Sequence, residues 1–208
     1  MKKTVFVLAL AAIICGCAPK NPKAAHKLIA PLPTGIAVDS LQDCTVPASF
    51  TPEDFHWMGG NLTMTVYSQD LYDAVEISLL QVGDTLIYDS RPMVIRKITE
   101  GQGGIDINGG LEEGGCSLAG YEGGTYVTKI WDDHTTYTNL GKTEVALAED
   151  FQIIDCGLDP GDPIDTIRTN QKRYIENLKD RKRDFHQLNT RVTIENGLIT
   201  AINRHWIP

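Results

Sequence analysis

Long apolar runs are almost absent from this 208-residue chain. The one continuous stretch, Val5 to Ile14, is about half the ~20 residues a helix needs to cross a bilayer, so no membrane-spanning helix is expected. Positive charge is also short, with 19 Lys and Arg against 27 Asp and Glu for a net −8. Nucleic-acid binding draws much of its affinity from cations that neutralise phosphates, so no nucleic-acid partner is expected. The chain has five histidines, no two of them at a zinc-binding spacing, and it shows no strict internal repeat. What remains is the composition of a folded protein, 42% hydrophobic and 22% charged, which argues against wholesale disorder.

The first residues carry the sharpest signal. Lys2 and Lys3 precede the short apolar stretch, and Ile14-Cys15-Gly16-Cys17 sets a small residue before a cysteine, the layout of a secretory signal. The segment resembles the lipobox of bacterial lipoproteins, in which the cysteine after the cut is acylated and becomes the new N-terminus. That resemblance implies lipidation, as by palmitate, at Cys17. Cys15 fits less well, because Ala12-Ile13-Ile14 would place a β-branched residue at the cleavage position. Cleavage removes residues 1–16, leaves 192 of the 208, and leaves 17 basic against 27 acidic side chains, a net −10. Residues 17–44 are expected to form a tether, with Pro19, Pro22, Pro31 and Pro33 and no apolar periodicity. The chain is similar in style to Bacteroidota lipoproteins. There, Ala18-Pro19-Lys20-Asn21 in place of acidic residues implies the outer membrane facing the periplasm. Asp39-Ser40-Leu41, Asp84-Thr85-Leu86 and Asp165-Thr166-Ile167 resemble the O-glycan acceptor pattern of the same group, with Ser40 the favoured position.

With Cys15 and Cys17 so assigned, Cys44, Cys116 and Cys156 remain. An oxidising compartment permits one bridge and one leftover thiol, and Cys44 with Cys156 is the expected pair because they flank the β-rich block. Three buried thiols are the alternative.

Residues 45–156 read as strands. Leu62, Met64 and Val66 alternate with threonines, and Val75, Ile77 and Leu79 alternate with polar residues. Turns at Gly83-Asp84 and Asp89-Ser90-Arg91-Pro92 bound Thr85–Tyr88 and lead into Met93–Ile98; further strands are expected at Tyr126–Trp131 and Glu144–Ile154, the last with helical character as the alternative. In residues 157–208, apolar positions from Ile164 to Phe185 predict one amphipathic helix, followed by a hairpin turning at Asn196-Gly197. That turn sets Val192, Ile194, Ile199 and Ala201 on one face. The expected class is α+β, an antiparallel barrel-like or sandwich β domain with a C-terminal helix and β-hairpin packed on it.

Candidate site residues fall in three groups. Trp57, Tyr121, Tyr126 and Trp131, with Tyr137, are aromatics able to form a ligand platform or to pack in the core. Between Gly101 and Gly124, ten of twenty-four residues are glycine, and Asp106, Asn108 and Glu112 supply oxygen donors whose spacing departs from a calcium-binding loop. Cys116 with His134 and Asp132 or Asp133 is a thiol-hydrolase set without a surrounding signature. No metal or cofactor is expected. The leading expectation is a lipid-anchored envelope protein acting as a non-catalytic binding module, with the membrane and an envelope protein or glycan as partners; the alternative is an envelope hydrolase using Cys116 or the glycine-loop carboxylates.

Overall fold

The computed structural model describes residues 25–101, 103–156, 166–179, 185–205 and 207. Its first strands are β1 (Leu28–Ile29), β2 (Cys44–Ser49), β3 (Phe55–His56), β4 (Asn61–Gln69) and β5 (Leu71–Asp73), and helix α1 (Ala74–Ser78) follows. Next come β6 (Thr85–Tyr88), β7 (Arg91–Val94), β8 (Ile98–Gly101), β9 (Gly104–Ile107), β10 (Cys116–Tyr121), β11 (Thr125–Lys129) and the long β12 (Tyr137–Asp155). The chain ends with β13 (Ile167–Thr169), helix α2 (Lys172–Lys179), β14 (Thr190–Glu195) and β15 (Leu198–Arg204).

Five of these strands close on themselves. β2 pairs with β4 and β14, β4 with β12, β12 with β15, and β15 with β14; only the β12–β15 contact is parallel. This ring, with one helix between its third and fourth strands, has the arrangement of the five-stranded Greek-key barrels of the OB class. The alternation that marks the strands explains the closure. Leu62, Met64 and Val66 on β4 turn inward to meet Val46, Ile153, Val192, Ile194, Ile199 and Ile202, all essentially inaccessible to solvent. Each such side chain contributes roughly 1.5–3 kcal/mol by burial. Ile175 and Leu178 of α2 join Phe50, Phe55 and Phe185 in the same core, where Phe50 and Phe185 stack at 4.5 Å. β12 spans two neighbours by bending: residues from Tyr137 to Ala146 pair with β4 and those from Ala146 to Asp155 with β15, with register shifts beside Gly141 and after Leu147.

Residues 70–136 form an inserted lobe between β4 and β12. It holds the sheet β5–β11–β10–β9–β8 and the hairpin β6–β7, to which β1 of the N-terminal segment adds, over a second core of Tyr72, Ile77, Leu86, Ile107 and Leu118 with Cys116, joined by Ile29. The lobe begins and ends at one point, where Asp70 N–H donates to the Thr136 carbonyl at 3.1 Å.

The α+β class with a barrel-like β domain is therefore the observed one, and several of its expected parts differ. Val75–Leu79 is not a strand: the Asp73 carboxylate accepts from the Val75 and Glu76 amides at 2.8 and 3.0 Å and caps α1. Glu144–Ile154 is strand throughout. The expected helix over 164–186 is helical at Lys172–Lys179, while Ile167 belongs to β13 and residues 157–165 and 180–184 lie outside the described residues. On the hairpin, Ile202 rather than Ala201 faces inward, because a bulge between the Ile194–Ile199 and Thr193–Ala201 pairs shifts the alternation by one. The segment expected as tether is folded from its described start: β1 adds to β6, Ile29 is buried, and Leu41 sits in the barrel core. Cys44 and Cys156 are free thiols, not a bridge. Cys44 lies opposite Ile194, itself opposite Ile199, whereas the Cys156 amide bonds Arg204, five residues further along β15. That is about 16 Å along the strand, well beyond the ~7 Å Cα limit for a disulfide.

Candidate functional site

Where the inserted lobe meets the barrel, a groove of about 400 Å³ opens between three walls. Pro31, Leu32, Pro33 and Thr34 of the N-terminal segment form one, Ser68, Gln69, Thr138 and Leu140 of the barrel with Asp70 at the start of the lobe the second, and Ile87 and Ser90 the third. The two-residue turn Asp89-Ser90 joins β6 to β7 and is held with both φ angles positive, 48° and 60°. Neither residue is a glycine, so the turn stores local strain that its surroundings must maintain. On its other side a smaller recess of about 160 Å³ is lined by Tyr88, Asp89, Ile130, Thr135, Tyr137 and Gln187, among others.

The groove is built on a satisfied polar floor. Asp70, 1% exposed, accepts from the Thr136 and Thr138 hydroxyls, each at 2.7 Å, so both carboxylate oxygens are engaged. Thr136 also meets the Thr128 hydroxyl at 2.5 Å. The Tyr72 hydroxyl donates to the Ile87 carbonyl at 2.8 Å and fixes β6; burial holds its phenol well above the ordinary value. In the smaller recess, Arg191 donates to the Tyr137 hydroxyl at 2.7 Å and to the Gln187 and Thr190 carbonyls, with its guanidinium 5.5 Å from the centre of the Tyr137 ring. Gln69 Nε2 donates to Thr135 Oγ1 at 3.1 Å, and Leu32 N–H to the Leu71 carbonyl at 2.6 Å. The surface presented is thus hydroxyl and amide groups between proline and aliphatic walls, with Asp89 exposed on the rim.

The aromatic candidates do not come together. Trp57 stacks on Phe55 at 5.2 Å and packs against the barrel core. Tyr126 lies opposite Tyr72 and packs on the lobe's core. Tyr121 and Trp131 are exposed, 45% and 65%, at opposite ends of the β10–β11 pair. Tyr137 lines the smaller recess, on the far side of the strained turn.

The glycine-rich segment does not form a metal site, and among the described residues no group of three or more His, Cys, Asp or Glu could hold one. Asn108 is a loop clamp: its Oδ1 accepts from the Arg96 and Lys97 amides and its Nδ2 donates to the Val94 carbonyl. Asp106 accepts from the Ser117 hydroxyl at 2.5 Å, and Glu112 is exposed. A glycine is required at 115, where a Cβ would run into the Ile107 carbonyl oxygen. A cleft of about 300 Å³ remains beside Asp106, Ser117, Lys129 and Asp133.

Cys116 faces the lobe's core with no exposed surface, and burial, aided by the nearby Asp106 charge, pushes its thiol up to about 12. A thiol so placed stays protonated at neutral pH, the opposite of an activated nucleophile. The groove residues Ser68, Gln69, Asp70, Ser90 and Thr138 escape a reading of the sequence, since each is an ordinary polar residue at a strand end. The signal that could have pointed to them is the break in β4's alternation at Ser68-Gln69-Asp70. No protein-family model, curated protein or solved structure matches the chain.

Proposed function

We propose that this is a lipid-anchored cell-envelope protein that acts as a non-catalytic binding module, taking an uncharged, hydroxyl- or amide-rich ligand of glycan or peptide type in the groove between its lobes. The observation that carries the reading is the state of the ionisable groups at the groove, Asp70, and beside the smaller recess across the turn, Arg191. Asp70 already holds two hydroxyls, and Arg191 is spent on Tyr137 and two carbonyls. Fixed groups of this kind orient a ligand, while general acid–base work requires a group able to take or give a proton at the reacting atom. A concave site at a lobe junction, part apolar with convergent polar groups, is the usual form of a small-ligand site. The barrel class by itself does not choose the ligand. The anchor at Cys17, outside the described residues, rests on the lipobox resemblance, and the outer membrane facing the periplasm rests on the likeness of Ala18-Pro19-Lys20-Asn21 to the Bacteroidota pattern.

Two measurements test the two halves. Cys17→Ala is expected to leave an unacylated, unprocessed or soluble form, read by intact mass and fractionation; a variant that still carries acyl chains contradicts the anchor. Leu32→Trp fills the groove from a position 41% exposed, so it should abolish binding of glycan or peptide fragments while leaving the melting temperature unchanged. Undiminished binding by this variant contradicts the groove.

A further inference from the structure

The small sheet β1–β6–β7 buries one face and leaves the other uncovered. Ile29, Leu86 and Met93 pack on the lobe's core, while their neighbours form a cross-strand row, Leu28 opposite Thr85 opposite Val94. Leu28 is 66% and Val94 53% exposed, and Pro92 is exposed on the same face two residues from Val94. Val82, 58% exposed, precedes Gly83, against which the His26 ring lies. Along β7 runs a groove of about 440 Å³ lined by Tyr88, Asp89, Arg91, Pro92, Met93, Val94 and Arg96. Arg91 and Arg96 line this groove and are exposed, as are Lys27, next in sequence to Leu28, and Lys97, next to Arg96; Asp89 is the opposing charge at the groove, on a molecule whose overall charge is strongly negative.

We propose that this face docks on the bilayer, with Leu28 and Val94 entering the interfacial layer and the four basic side chains meeting anionic phospholipid headgroups. The inference rests on the reading of Cys17 as acylated. Leu28, the first residue of β1, follows Cys17 by eleven residues. Eleven residues reach at most about 40 Å fully extended, which ties this sheet to the anchor more closely along the chain than any barrel strand, the first of which starts at Cys44. Basic residues near a surface are attracted to anionic lipid individually and within a Debye length, so a local cluster works against the repulsion expected from net charge. The alternative occupant, a protein strand added to the edge of β7, meets Pro92, which offers no ladder donor at the middle of that edge.

The test uses the full lipidated protein in vesicles of neutral and anionic phospholipid, with an environment-sensitive label at Val94→Cys and, as control, at Met58→Cys, which is fully exposed on the barrel. The unsubstituted protein, labelled in parallel, corrects for native thiols, and thermal melts confirm that both variants fold. Docking predicts that brominated lipid quenches the label at 94 severalfold more than the label at 58, and that Arg91→Glu with Arg96→Glu abolishes the difference. Vesicle-bound protein with equal quenching at both positions overturns the docking and leaves the anchor standing. A label at 94 shielded from both lipid and aqueous quenchers, together with self-association by size, shows a protein occupant and likewise overturns it. Protein that lacks acyl mass and stays in solution overturns the Cys17 reading itself.

Discussion

At Asn196 and Gly197 both φ angles are positive, 53° and 76°, the geometry that a two-residue hairpin of this twist demands. Gly197→Val forces a β-branched side chain into that region, at a cost of about 1–3 kcal/mol. Ile194→Asp should be worse, since Ile194 is completely buried and the change removes roughly 1.5–3 kcal/mol of burial while leaving a charge without a partner in the barrel. Thermal melts of both variants should show lowered midpoints in that order; unchanged midpoints would mean the hairpin is dispensable. Single residues with a strict backbone requirement were legible in the sequence in this way, and Asn196-Gly197 is the clearest. The inward set was legible only up to the bulge. A one-residue shift replaced Ala201 by Ile202, and no local pattern announces a bulge of that kind. Cys44 and Cys156 were misjudged for a related reason, because flanking a block in sequence says nothing about which end of a barrel each residue reaches.

Helix α2 is fastened to the barrel by a buried charge. Asp155 and Arg204, 0% and 2% exposed, form an ion pair through Arg204 Nη2 and a 3.0 Å bond from Nε; Tyr174 on α2 donates its hydroxyl to Asp155 at 2.6 Å, and the Arg204 guanidinium lies 4.5 Å from the centre of the Phe185 ring. Arg204→Met leaves a buried carboxylate without its cation and should cost about 3–5 kcal/mol, whereas removing both charges together should cost much less. Chemical denaturation of the single and double variants checks this. The phenols of Tyr174 and Tyr72 are held above their ordinary 10.0 chiefly by burial, and for Tyr174 next by its bond to Asp155. Their unfolded forms release protons first, so the stability they contribute is intact below pH 10 and falls as pH climbs above it. Melting temperature followed from pH 8 to pH 11 should decline only in the upper part of that range, and Tyr174→Phe should flatten the decline. Elements with long alternation, such as β4 and the hairpin, were legible. The five-residue α1 was not, because Val75, Ile77 and Leu79 match a strand pattern as well as one exposed and one buried edge of a single helical turn, and only the Asp73 cap decides.

On the scale of the molecule, the C-terminal hairpin is not an appendage. β14 and β15 are two of the five barrel strands, and the ring closes only when residues near 44 meet residues near 194. That contact spans about 150 residues of the chain and has no trace in local sequence. The β domain is interrupted by an insert whose ends meet at Asp70 and Thr136, and the groove exists only because the insert is there. Its site was illegible for the same reason: the N-terminal prolines, the end of β4 and the Asp89-Ser90 turn are distant in sequence and individually unremarkable. The central claim is that this junction binds the ligand, and amide chemical-shift mapping with envelope glycan and peptide fragments tests it most directly. The account predicts perturbed amides clustered at residues 32 and 34, 68–70, 87–90 and 138–140. Perturbation confined to the glycine-rich cleft between residues 101 and 133, with these segments unmoved, would contradict it.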